Sequence, residues 1–235
     1  MKSLFIFFLV LVVAVSQGQE LTGSQLLEKA IEFHDPEGNW THFKGTFKIT
    51  MKTPSSGDRV SKIQLDLAKE EFNLAVVRGD DSYAYHIKED SCSIALNGSS
   101  KISTEDSKRL RLSCERGGMM KNYYTYLYGL PMKLKNPGTI INEKIERKIF
   151  KNKEYLVIKV NYDEKVGKDT WYFYFDPTTY AMEVYQFYHD ETKNDGEYIL
   201  LEGIETVNDI KMPKTRAWYY NKDDKYLGTD DLSKN

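Results

Sequence analysis

The chain has 235 residues, with 33 Lys and Arg against 35 Asp and Glu, a formal charge of −2, and 40% hydrophobic residues. Both signs of charge are mixed along the chain, as on a solvated surface, which leaves no footprint for a nucleic-acid or anionic-membrane partner. Its four histidines, His34, His42, His86 and His189, fall in four different segments, and no C-x-x-C is present. No metal, cofactor or redox role is therefore expected.

Met1-Lys2-Ser3 is followed by an apolar run from Leu4 to Val15 and then by Ser16-Gln17-Gly18-Gln19. This is the pattern of a cleavable signal peptide, residues 1 to about 19. The alternative, an uncleaved anchor, needs about twenty apolar residues, and the run is shorter. No cysteine lies near the exit, so lipid attachment there is not expected. The mature chain is expected to be free, periplasmic or secreted, with no integral membrane span, and to form one domain over residues 20–235.

LTGSQLLEKAIEFH (21–34) reads as a helix, with Ser24 as N-cap and a stripe of Leu26, Leu27, Ala30, Ile31 and Phe33 or His34. Asp35-Pro36-Glu37-Gly38 stops it. From Trp40 the period changes to two, and short strands are expected at 43–51, 60–67, 72–77, 82–87 and 92–96. Ser103-Thr104-Glu105-Asp106 then resembles a helix start, and helical spacing continues over 105–128. Gly117-Gly118 is expected to break it into two helices, and Gly129, as a left-handed cap, with Pro131 to end it. Strands resume at 139–150, 155–162, 170–175, 181–188, 197–207, 214–220 and 225–229. About twelve strands at hairpin spacing imply a mainly β, antiparallel meander. We read a strongly curved, incomplete barrel whose open side is covered by the N-terminal helix and the 103–130 insertion.

Cys92 and Cys114 both fall in the exported part, where a disulfide is the natural reading and two buried thiols the alternative. Asn39-Trp40-Thr41 and Asn97-Gly98-Ser99 fit the glycosylation sequon, a pattern that also arises by chance. No G-x-S-x-G, H-E-x-x-H, P-loop or G-x-G-x-x-G occurs. Lys165, Lys168 and Asp169 near Asp176 offer a lysine with acid partners, but in a charged, solvated loop, where nothing supports Schiff-base chemistry. No catalytic residue is assigned.

The later strands are apolar on both faces. In TWYFYF (170–175), Trp171, Phe173 and Phe175 alternate with Tyr172 and Tyr174; in the next strand Met182, Val184 and Tyr188 are read as opposing Tyr185 and Phe187. Both faces must be covered, either as a two-sided core or around an apolar cavity rimmed by Tyr hydroxyls.

WYFYFDP (171–177), YAMEV (180–184) and GIETVNDIKMP (203–213) resemble the bacterial lipoprotein carriers of the LolA/LolB-like half-barrel type. YYTYLYGLPM (123–132) resembles an uncharacterised family of exported bacterial proteins of this length. The resemblance implies an eleven-stranded incomplete barrel, plugged by helices, that holds acyl chains. No acyl-contacting residue is carried over from that family; on the strand faces, the expected ligand-binding residues are Trp171, Phe173, Phe175, Met182, Val184, Tyr188, Trp218 and Tyr124. The partner would be a hydrophobic small molecule or an acylated protein, and the carrier a monomer. Gly38-Asn39-Trp40 also fits the G-x-W opening of lipocalins, a second route to an apolar ligand. A hydrolase using the same cavity and an envelope module with a filled core remain as the other readings.

Overall fold

A computed structural model describes residues 21–234; the signal-peptide reading lies outside them. The first helix, α1 (Gly23–His34), is capped by Thr22 rather than Ser24. The Thr22 hydroxyl accepts from the Gln25 amide at 3.3 Å, and the Gln25 side chain accepts from the Thr22 amide at 3.0 Å. This reciprocal capping box satisfies two amides that the helix start would otherwise orphan. Ser24 instead binds Glu143 through its hydroxyl and its amide. The helix buries Leu26, Leu27, Ala30 and His34, so the stripe ends on His34 and not on Phe33.

Thirteen strands form one antiparallel sheet. The first five are β1 (Lys44–Thr53), β2 (Ser56–Asp66), β3 (Glu71–Arg78), β4 (Asp81–Lys88) and β5 (Ser91–Leu96). After the helical insertion come β6 (Thr139–Ile141), β7 (Glu146–Phe150), β8 (Lys153–Tyr162), β9 (Thr170–Phe175), β10 (Met182–Tyr188), β11 (Glu197–Val207), β12 (Ile210–Tyr220) and β13 (Tyr226–Lys234). Each group is a meander, and β13 pairs with β1 to join them in the order β5-β4-β3-β2-β1-β13-β12-β11-β10-β9-β8-β6. β6 and β7 both line the outer edge of β8, and β5 is the other edge, so the barrel stays incomplete.

The segment 139–150, expected as one strand, is two: the chain leaves the ladder at Asn142–Ile145, where Glu143 serves the start of α1. The insertion holds α2 (Thr104–Leu110) and α3 (Cys114–Tyr128). The break falls at Arg111, in the left-handed region with φ 55°, and not at Gly117-Gly118. Ser113 caps α3 through the Arg116 amide. Gly117 is inside the helix because a Cβ there would lie 2.7 Å from the Tyr85 ring. Gly129 is likewise not the expected left-handed cap, since its φ is −94°. It is needed for space: a Cβ would stand 2.2 Å from the Trp40 ring.

α3 packs into the concave face, stacking Tyr124 on Phe72 at 6.4 Å and setting Tyr128 tilted against Phe47 at 5.1 Å. Phe173, Phe175, Ile158, Met182 and Ile199 complete this main core. A second apolar cluster of Tyr155, Val157, Tyr172, Tyr174 and Val184 lies apart from it, with Phe150 and Tyr188 packed against it. Lysines lie over its rings, Lys148 at 4.2 Å from the Tyr172 centroid. Their stems and charges shield aromatic surface that alternation pushes outward. The requirement that both faces be covered is thus met by helices on one side and by β7 and lysines on the other.

Candidate functional site: an aromatic cleft beside α3

α3 fills much of the concavity, but along one flank it stands off from β8 and β9. The gap is a cleft of about 540 Å³ whose lining includes Tyr123, Tyr126, Tyr162, Trp171, Lys121 and Lys133. That volume falls within the range of small-molecule sites. Trp171 is its base plate, packed on Phe187 at 4.9 Å and on Phe173 at 5.9 Å, with Tyr126 edge-on at 5.8 Å. The Tyr126 and Tyr162 hydroxyls hydrogen-bond each other across the cleft. Burial holds both phenols neutral, Tyr162 pushed up to about 12. Lys133 lies at the cleft, half-buried, its pKa lowered by desolvation. The cleft therefore presents apolar rings with two ammonium groups, a surface suited to an aliphatic chain with a polar end.

Behind Tyr123, which stacks on Trp218 at 6.5 Å, the interior turns polar. Arg216 is fully buried, its guanidinium 3.9 Å from the Tyr128 ring centroid and donating to the carbonyls of Pro213 and Leu127. Asp230 is also buried, and neither carboxylate oxygen has a hydrogen-bond partner among the described residues. Desolvation raises its pKa to about 6 against the pull of Arg59 and Arg216.

Of the expected ligand-binding residues, Trp171 lines the cleft. Trp218 is half-buried behind Tyr123, and Phe173, Phe175, Met182 and Tyr124 are buried in the main core. Val184 and Tyr188 belong to the other cluster, on the opposite face of the sheet. A register shift explains the correction: Met182 pairs with Phe175 but Val184 with Tyr174, so Glu183 is a bulge and every side chain after it changes face. The alternation past that point was read one residue out of phase. Tyr123, Tyr126 and Tyr162 were missed as lining residues, although Tyr123 and Tyr126 are three apart and share a helix flank.

The residues considered for catalysis are held apart in structural roles. His34 Nδ1 donates to the Lys211 carbonyl at 2.6 Å and its Nε2 accepts from the Met182 amide at 3.0 Å. His189 pairs with Asp169, and His86 with Asn73. Asp176 is engaged by Lys153 at 2.8 Å and by the amides of Thr178 and Thr179, which hold its carboxyl well below the usual range. Lys168 reaches Glu164 instead. Cys92 and Cys114 are joined, which ties the first residue of α3 to β5.

A family model, DUF6503, a family of unknown function, matches residues 2–235. The chain belongs to this family. No curated protein matches it in sequence. Among solved structures it is similar to a LolA superfamily protein from Nitrosomonas europaea, at 12% identity and TM-score 0.50, over 91% of this chain and 92% of that one. A DUF1329 family protein from Desulfovibrio piger is similar at 8% identity and TM-score 0.51, again over 91% and 92%. This member of DUF6503 thus has a LolA-like fold, as an incomplete antiparallel barrel with helices in its mouth.

Proposed function

We propose that this protein is an exported, non-catalytic carrier that binds a hydrophobic ligand, a lipid or the acyl chain of a lipoprotein, in the cleft between α3 and β8–β9. The observation that carries this reading is an aromatic-walled cleft persisting beside a core that is otherwise filled. Each methylene buried there contributes about 0.8 kcal/mol, so an acyl chain needs few polar contacts to be held. The LolA-like fold supports the reading, and the disulfide supports an oxidising compartment such as the periplasm or the exterior.

The test is displacement of a fluorescent fatty acid from protein stripped of lipid under denaturing conditions and refolded. Trp171→Ala removes the base plate, and Asn122→Trp fills the cleft from an exposed position that puts folding at little risk. At least a tenfold loss of probe affinity is expected in both, with the thermal midpoint of Asn122→Trp unchanged. No saturable binding by the wild type, or full affinity in both variants, overturns the proposal.

A further inference from the structure

A second pocket, of about 290 Å³, lies between β2–β4 and the α2–α3 turn and shares no lining residue with the aromatic cleft. Its lining includes Arg59, Arg78, Arg109, Arg111 and Arg116. The whole chain has seven arginines, and five are here, drawn from β2, β3, α2, the turn and α3. Among the described residues no lysine lines it. On a surface where lysine is the ordinary cation, this sorting points to recognition by planar guanidinium forks, which match oxyanions bidentately, and not to general solubility.

Charge within the pocket is not balanced by the protein. Asp81 is the lining carboxylate, and Arg109 already grips both of its oxygens at 2.7 and 2.9 Å while reaching Asp106 at 2.9 Å. Among the described residues Arg59, Arg78, Arg111 and Arg116 make no ion pair within 4.0 Å. Asp230 lies behind Arg59, buried, where it favours the neutral form in mild acid. Leu74, Leu110 and Met120 add an apolar side, and the disulfide at Cys114 fixes the α3 wall two residues before Arg116. Gathering like charges costs free energy that an anion would offset.

We propose that this pocket is a binding site for a phosphate-type oxyanion, either free or as the headgroup of a lipid. It does not depend on cargo in the cleft, so Asn122→Trp leaves it intact.

The test titrates inorganic phosphate, and separately 1-oleoyl lysophosphatidic acid below its micellar concentration, into the lipid-stripped protein at low ionic strength. Arg78, Arg111 and Arg116 are exposed, so the triple change Arg78→Gln, Arg111→Gln and Arg116→Gln spares the core. It should weaken phosphate binding at least tenfold, whereas Arg147→Gln, which removes an arginine outside the pocket, should change it less than twofold. Lysophosphatidic acid binding more than tenfold tighter than phosphate, and lost in the triple variant, assigns the site to a headgroup; equal affinities assign it to the free anion. Absence of saturable phosphate binding in the wild type, or equal binding by the triple variant, overturns the proposal.

Discussion

Two buried groups of opposite behaviour, His34 and Asp230, allow the interior to be tested by pH. His34 is fully buried and neutral, its pKa lowered to about 4 by desolvation, with Arg216 and Lys211 adding to the drop and the Lys211 carbonyl opposing it. The unfolded chain takes up this proton near pH 6.5, so the folded state loses stability as pH falls from there toward 4. Between pH 7 and 5 the loss is about 2 kcal/mol. Asp230 has its pKa raised to about 6 by burial, with Arg59 and Arg216 opposing. Its folded state binds the proton first, so stability increases as pH falls through 6, by about 1 kcal/mol over the same interval. In the wild type the two largely offset each other. Removing one exposes the other: from pH 7 to 5, Asp230→Asn should fall relative to the wild type by about 1 kcal/mol, and His34→Gln should rise by about 2 kcal/mol. Urea unfolding at both pH values measures these gaps. Other titrating groups, such as His189 raised by Asp169, are common to all three proteins and cancel. Gaps that stay constant between pH 7 and 5 would refute the reasoning.

Packing and cross-link give further tests. Gly129→Ala should destabilise by about 1–3 kcal/mol, because its Cβ would stand 2.2 Å from Trp40 and 2.6 Å from the Thr125 carbonyl. Gly118→Ala, with nothing within 4 Å of the new Cβ, should stabilise by about 0.5–1 kcal/mol; thermal melts that reverse this order contradict the packing argument. Reducing the Cys92–Cys114 bond, which spans 22 residues, should lower stability by about 3 kcal/mol, and the double Cys92→Ser, Cys114→Ser variant should match reduced wild type in calorimetry.

Period-two alternation and turn residues were enough to read the antiparallel meander, because each hairpin is a local event. What escaped was set by partners distant in sequence. Glu183 is an ordinary strand residue until its bulge, and nothing local announces that Val184 and Tyr188 will face away from Met182. β13 was expected to stop at residue 229; the strand continues because β1 and β12 flank it, pairing Asp230 with Met51 and with Arg216, 179 and 14 residues away. The capping box of α1 was legible in Thr22 and Gln25, and a neighbouring serine drew attention from it. The aromatic composition indicated rings on both faces of the sheet, but which of them are core and which line a cleft depends on where α3 lands.

On the carrier reading proposed above, that landing decides how cargo would enter. α3 is held at its start by the disulfide to β5, in its middle by Tyr124 against Phe72, and at its end by Arg216 donating to the Leu127 carbonyl. A chain lying in the concavity itself would have to displace Tyr124 and Tyr128, both fully buried, at about 1.5–3 kcal/mol for each ring returned to water. A chain lying in the cleft displaces neither, since Tyr123, Tyr126 and Trp171 already face it from both sides. Tyr124→Leu separates these routes. If cargo lies in the cleft, the variant should lose stability through the partial void it leaves, yet bind the fatty-acid probe within twofold of the wild type. If cargo instead occupied the concavity, the smaller side chain would make room and tighten the probe severalfold, and the cleft would have to be abandoned as the site.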